Sequence, residues 1–345
     1  MIACHMRDET VEQPYLLRSK ADTWTRDAHE ALQRVGARDN LVLVGRGSSG
    51  NACTFATYLA GVNSGRHPIE FRPWLSTQRS ADARWEDARV FAYSASGQST
   101  DIAHSAQWLK ERGARILAVT NGATPDSNLG RVCDAMVDVG VGDELAVPAT
   151  KSFGAQLFVT AALCDLKLQP AADETAVAME LILESDAVVR LADFIEGGKA
   201  VVWVARGPAL AAAQDAALKL QESIGLKCQA WSAAEILHGP IGALDSTDRV
   251  VLFQDGDEPA DSLDAVSTRL LARGAPHLTV TGEASHRGDR AEALAQRALA
   301  IPMPTVRWAR SVVLAFLSQL VALELAGRRG INPDQPAGLN KVTYT

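Results

Sequence analysis

Short, almost unbroken apolar runs alternate along the chain with longer stretches whose apolar positions recur at helical spacing. The runs Leu41–Val44, Val90–Tyr93, Ile116–Thr120 and Ala135–Val139 are apolar nearly throughout. Strands with that pattern are covered on both faces, as in parallel sheets flanked by helices. Helices are predicted between them near Gly50–Gly61, Ser99–Gly113 and Thr150–Leu168. The second half repeats the alternation. Its strands are predicted at Ala200–Ala205, Arg249–Gln254, Leu278–Gly282 and Leu299–Met303, and its helices near Pro208–Ile224, Ala260–Arg273 and Val306–Gly327. This order predicts βαβ units and an α/β fold. The stretches LVLVGRG (41–47) and AVVWVARG (200–207) both end an apolar strand in Arg-Gly before a helix, which points to an internal duplication.

Length and composition narrow the classes. The 345 residues suggest about two domains. At 47% apolar and 22% charged, the chain is globular and not disordered. No run reaches the roughly 18–20 apolar residues of a membrane span, so no membrane partner is expected. With 34 basic and 41 acidic side chains, the net charge of −7 argues against a general nucleic-acid binder. It leaves room for one phosphate held locally by amides and hydroxyls. The five cysteines (Cys4, Cys53, Cys133, Cys164, Cys228) form no CxxC pair, and no secretory segment opens the chain. The expectation is a reduced, cytoplasmic protein without a disulfide framework.

Two loops carry candidate chemistry in the first half. Gly45-Arg46-Gly47-Ser48-Ser49-Gly50 follows a strand and opens a helix, where free N–H groups attract an anion. It is equally readable as a tight turn with Ser48 or Ser49 as N-cap. The sequence lacks a dinucleotide fingerprint there. The next strand ends in Ser94-Ala95-Ser96-Gly97-Gln98-Ser99-Thr100-Asp101, rich in hydroxyls and without a lysine. It reads either as a capping cluster with Asp101 in the first turn or as a phosphate-monoester loop, and two such loops favour the phosphate. A third segment, Glu144 to Ser152, leads into an apolar helix. Thr150 can cap that helix, and Lys151 can pair with an acid or serve a pocket.

In the second half, ALAAAQDAALKLQESI is a strong helix former between Pro208 and Gly225, residues suited to its start and stop. Lys219 and Glu222, three apart, share a face. They are either a surface ion pair or a general base with an orienting cation. His238 precedes Gly239-Pro240, where a helix must end. It is either structural or an acid–base group titrating near neutrality. The remaining histidines (His5, His29, His67, His104, His277, His286) show no metal-ligand spacing, so no metal or other cofactor is expected.

Taken in order, these segments resemble the isomerase half of glucosamine-6-phosphate synthase. They are more similar still to its stand-alone relatives, the SIS-domain (sugar isomerase) glucosamine-6-phosphate deaminases. The likeness runs through Glu12-Gln13-Pro14, GRGSS at 45–49, SASGQST at 94–100, Thr150-Lys151-Ser152-Phe153, ALKLQES at 217–223, AAEILHGP at 233–240 and NPDQPAGLNKVT at 332–343. It implies two tandem flavodoxin-like αβα (SIS) domains, each with a parallel sheet. The expected organisation is an N-terminal helical segment at 1–35, a first SIS domain at 36–180, a second at 190–331 and a C-terminal active-site tail at 332–345. It also implies a homodimer with shared active sites. By position, Ser49, Ser94, Ser96 and Ser99 match the hydroxyls that hold the sugar phosphate, and Gly47 and Val147 join that candidate set. Lys341 matches the lysine that reaches the open-chain sugar. Glu222 matches the base between C1 and C2, Lys219 a supporting lysine, and His238 the ring-opening residue lent by the neighbouring subunit.

The implied reaction converts glucosamine 6-phosphate to fructose 6-phosphate and ammonia. Departures exist. The first loop motif begins at Gly45, about 45 residues into the sequence, so glutamine-dependent synthesis, which uses a glutaminase domain, is not expected. Ala95 and Gln98 replace a glutamine and a glutamate usual in the synthase, and Asn340 replaces a small residue. Two alternatives stay open: a related SIS enzyme acting on another hexosamine or fructosamine 6-phosphate, or a non-catalytic sugar-phosphate sensor.

Overall fold

A computed structural model describes residues 4–65, 67–77, 83–256, 261–282 and 297–341. His286, Ala260 and the last two residues of the tail motif, Val342 and Thr343, lie outside the described residues. The chain forms two compact units. The leading unit comprises Tyr15–Leu145, Ala149–Pro170 and the tail from Asn340. The trailing unit comprises the residues up to Pro14, Ala146–Pro148 and Ala171–Leu339.

The leading sheet contains β1 (Asn40–Val44), β2 (Ile69–Glu70), β3 (Ala88–Tyr93), β4 (Arg115–Thr120) and β5 (Ala135–Asp138). All pairings are parallel and the order is β2-β1-β3-β4-β5. Successive strand residues point to opposite faces, and both faces are buried. Val42, Val44, Val90, Ala92, Ile116 and Ala118 pack with Ile102, Ala106 and Leu109 of α5 (Thr100–Lys110). On the other face, Tyr93 shares a 2.8 Å hydrogen bond with Thr160 of α6 (Lys151–Leu163). α6 also packs against α3 (Gly47–Ser64). From α2 (Gln13–Val35), Trp24 lies 6.0 Å from the Phe158 ring and donates to the Val139 carbonyl.

The trailing sheet has β6 (Val201–Ala205), β7 (Cys228–Ser232), β8 (Arg249–Gln254), β9 (His277–Gly282) and β10 (Ala298–Ile301). Its order, β10-β9-β8-β6-β7, is the same winding read from the opposite edge. One face packs Val202, Val204, Val250 and Leu252 against Val266 and Leu270 of α11 (Asp261–Ala272). The other carries Trp203 and Phe253, with ring centroids 5.1 Å apart. α9 (Ala209–Ile224) packs against α12 (Arg310–Arg328). α1 (His5–Val11) is capped from a distance, because the Asp334 carboxylate accepts from the His5 and Met6 amides, both at 2.8 Å.

The expected α/β architecture of two tandem flavodoxin-like domains is therefore present. Its repeated winding accords with the paired Arg-Gly strand endings. Several sequence expectations need correction. The stretch between the two expected domains carries α7 (Gln169–Glu184) and the first half of α8 (Ala187–Glu196), neither of which the sequence pattern predicted. β2 and β7 had no sequence signal strong enough to register. Every residue of α6 is buried, as is every residue of α12 from Ser311 to Ala322. α12 with its preceding turn is long and apolar enough to cross a membrane, contrary to the sequence reading, yet 83% of that stretch is buried inside the chain. That is the pattern of a core helix.

Candidate functional site

The winding of the leading sheet determines where its crevice lies. After β1 the chain turns towards β2, and after β3 it turns towards β4, so the two loops part over neighbouring strands. In open α/β sheets that parting leaves a crevice at the carboxyl ends of the strands. The GRGSS and SASGQST segments are those two loops.

Both loops feed helices whose first turns lack side-chain caps. α3 begins at Gly47, so Ser48 and Ser49 lie inside its first turn and neither is the N-cap that one reading allowed. That position falls to Arg46, whose backbone is extended and whose side chain caps nothing. Ser99 holds the N-cap position of α5, but its Oγ does not accept from the helix. It donates to Asp101 Oδ1 at 2.9 Å. Arg46 Nε reaches Asp101 Oδ2 at 2.7 Å. One carboxylate, only 5% exposed, thus ties the two loops together and orients the Ser99 hydroxyl. Two helix N-termini without a side-chain N-cap hydrogen bond, beside hydroxyls, favour an anion.

The remaining candidates of this unit are distributed around that frame. Ser49 is buried and shares a hydrogen bond of 3.1–3.3 Å with the Gln156 carboxamide. Ser94 follows β3 and is buried, and its carbonyl accepts from Gly97 N–H. Ser96 Oγ accepts from Gln98 N–H at 3.2 Å. Gly97 sits at φ +64°, and an added Cβ would fall 2.6 Å from the Ala123 Cβ, so only glycine fits this turn. Gly47 also takes a left-handed φ of +54° as the chain enters α3. Lys341 Nζ pairs with Glu144 at 2.9 Å.

Glu144 is the central acid of that corner. Its side chain is 3% exposed. Oε1 accepts from the Thr150 and Ser152 amides at 2.9 and 3.0 Å, and Oε2 accepts from Ser152 Oγ at 2.7 Å as well as from Lys341. The carboxylate, and not Thr150, therefore caps α6. Burial pushes the Glu144 carboxyl up, but the Lys341 ammonium and the Ser152 and Thr150 hydrogen bonds outweigh it and hold the group below its ordinary value. Lys151, at the first position of α6, is buried.

The trailing unit holds the other candidates. Lys219 and Glu222 share one face of α9, with Nζ 2.6 Å from Oε2. The lysine is fully buried and the glutamate 21% exposed, so this is not a solvated surface pair. The glutamate presents the open end and the lysine the buried end. His238 ends α10 (Ala233–Leu237) on an exposed turn, followed by Gly239 at φ +154°. Val147 belongs to this unit and donates its N–H to the Asp334 carbonyl. The structure joins Lys219 directly to Glu222 and leaves His238 on a separate turn. At the β8 end of the trailing sheet, Arg310 donates to the Pro304 and Asp255 carbonyls and lies against Gly256.

Sequence reasoning passed over Arg46, Glu144 and Gln156 and read Asp101 only as a first-turn acid. The available signals were Asp101 two residues after a loop serine, and an acid placed shortly before an apolar helix. Among the described residues no three His, Cys, Asp or Glu side chains gather as a metal-ligand set.

Comparison with known proteins fits this geometry. The glutamine–fructose-6-phosphate aminotransferase of Pyrobaculum aerophilum is 29% identical over 352 residues, covering 98% of this chain and 57% of that protein. The chain spans about half the length of the curated relatives it matches. A protein of Silicibacter pomeroyi, provisionally named a phosphosugar isomerase, superposes with a TM-score of 0.81 at 26% identity, covering 96% of this chain and 100% of that one. The C-terminal domain of the Francisella tularensis glucosamine–fructose-6-phosphate aminotransferase gives 0.83 at 21% identity, covering 97% and 99%. The SIS domain model itself matches twice, at residues 36–166 and 195–327. With both matches falling on sheets of one winding, the chain belongs to the SIS-domain family.

Proposed function

We propose that the chain is an amino-sugar phosphate isomerase/deaminase that converts glucosamine 6-phosphate to fructose 6-phosphate and ammonia. The observation that carries the reading is the pair of hydroxyl-rich loops over β1 and β3, tied by the Arg46–Asp101 ion pair. Small-residue loops at uncapped helix starts suit a phosphate monoester, held by amides and by Ser49, Ser94, Ser96 and Ser99. The Lys219–Glu222 pair supports the chemistry, since a carboxylate beside a buried ammonium is a fixed, partly exposed base.

In this reading His238 opens the pyranose by moving a proton between the ring oxygen and the C1 hydroxyl. Glu222 then takes the C2 proton, which the adjacent aldehyde acidifies, and returns it to C1, while the amino nitrogen gives up one proton and O1 gains one. The product is the C2 imine of fructose 6-phosphate. Water adds to that imine and ammonia leaves, so no electrons are exchanged with a cofactor. Lys341 reaches the open-chain sugar from its place beside Glu144. The protein works as a cytoplasmic homodimer in which His238 serves the neighbouring copy.

The test is ammonia release from glucosamine 6-phosphate, run beside Glu222→Gln, with galactosamine 6-phosphate and a fructosamine 6-phosphate in parallel. Turnover of glucosamine 6-phosphate that disappears in the variant supports substrate and base together. Turnover of another substrate moves the assignment within the family. Saturable binding of all three without turnover by any would establish a sensor instead.

A further inference from the structure

The leading unit has a second concavity, at the opposite end of its sheet from the hydroxyl loops. It is a cavity of about 820 Å³, formed where the chain enters β1 and β3 and where α3 and α6 finish. Leu41 lines it and Gly45 begins the first loop. Four residues of strand at about 3.3 Å each separate the two places by roughly 13 Å.

Its chemistry is that of an anion site. Arg38 and Arg89 both line the cavity. Each keeps a buried Nε–H with no acceptor. Neither guanidinium has a carboxylate partner among the described residues. Arg38 spends one other N–H on the adjacent Ala37 carbonyl, and Arg89 lies over the Phe91 ring, 5.4 Å from its centroid. A buried donor left unmet is costly, and two on one wall are more so. Nearby, His67 uses Nδ1 to reach the Pro68 carbonyl, which leaves Nε2 to another partner. Asn63, in the last turn of α3, adds an exposed carboxamide.

We infer that this cavity is a second ligand site, for a small organic anion whose phosphate or carboxylate is held by Arg38 and Arg89. The volume lies within the usual range for whole small-molecule ligands and far exceeds that of an inorganic ion. The exposed rim carries Asp39 and Asp165, which disfavour a second negative charge and suit a hydroxylated body. A guanidinium with free N–H groups binds phosphate or carboxylate in the same forked geometry. The inference does not depend on the reaction proposed above, because none of these residues belongs to that machinery.

The experiment is calorimetric titration with glucose 6-phosphate and, separately, gluconate, which carries a carboxylate on a similar polyol body. Both are run on the Ser49→Ala/Ser96→Ala protein, whose loops are disabled. The expected result is one remaining site for at least one probe, weakened about tenfold or more by adding Arg89→Met. Glucose 6-phosphate alone identifies the phosphate class and gluconate alone the carboxylate class. Arg38→Met serves as the second variant should Arg89→Met fail to fold, and it should weaken binding in the same way. Absence of binding by both probes in the loop-disabled protein, or binding that survives loss of either arginine, overturns the inference. A failure of the deaminase assay leaves this titration unaffected.

Discussion

Replacing Glu144 with glutamine keeps the shape of the side chain and removes its charge. The consequence can be worked out atom by atom. Oε1 serves the Thr150 and Ser152 amides, and a glutamine carbonyl in its place would still accept both. Each bond would then pass from charge-assisted to neutral, a loss of about 1 kcal/mol apiece. Oε2 serves Ser152 Oγ and Lys341, and an amide nitrogen there can accept from neither. The hydroxyl can reverse, at a cost of about 1 kcal/mol, and the partly exposed ion pair is worth about another 0.5–1 kcal/mol. The sum is about 3.5–4 kcal/mol. For a unit of this size that lowers the melting temperature by roughly 7–16 °C. The difference has a required pH dependence. The folded-state carboxyl is held below 4.5, so its stabilisation is complete above that pH. It is lost as pH falls through the lower folded-state value, so wild type and Glu144→Gln should converge in acid. Thermal melts of both proteins across pH give the answer. A variant that melts within about 1 °C of wild type at neutral pH, or a gap undiminished in acid, refutes the argument.

Other consequences are as direct. Gly97→Ala forces a methyl against Ala123 at a left-handed φ and should destabilise the leading unit by about 1–3 kcal/mol in a denaturant titration. Tyr93→Phe leaves Thr160 without its 2.8 Å partner in a buried site, and the same titration should show a loss of about 1–1.5 kcal/mol. His277 is buried against Ser267, and its imidazole is held below the ordinary value chiefly by burial. Its stabilisation is present above pH about 6.5 and declines as pH falls through the lower folded-state value, a decline that His277→Gln should abolish in pH-dependent melts. Lys219→Met, if the proposed function holds, should lower kcat by about 100-fold with little change in KM, and an effect confined to KM would assign the lysine to binding instead.

The sheet strands were legible because burial on both faces leaves continuous apolar runs, as in Val90–Tyr93 and Arg249–Gln254. The loops were legible because strand ends rich in serine and glycine are conspicuous against such runs. β2 is two residues long and β7 reads Cys-Gln-Ala-Trp-Ser with mixed exposure, so neither gives a periodic signal. α7 escaped because its Ala, Asp and Glu residues resemble a solvated connection until packing shows which face is covered. The roles of Glu144, Asp101 and Gln156 depend on partners 8, 55 and 107 residues away. Local pattern carries no trace of such pairings. The fully buried end of the Lys219–Glu222 pair was hidden for the same reason, since spacing gives a shared face but not what covers it.

Arg310 gives the two windings different destinies. In the leading unit the end of β3 opens into hydroxyls and helix starts. In the trailing unit the end of β8 is stoppered by a guanidinium bound to carbonyls of its own chain. Two copies of one winding thus end unlike: one strand end is followed by hydroxyl side chains and helix starts, and the other is crossed by a guanidinium already committed to backbone carbonyls.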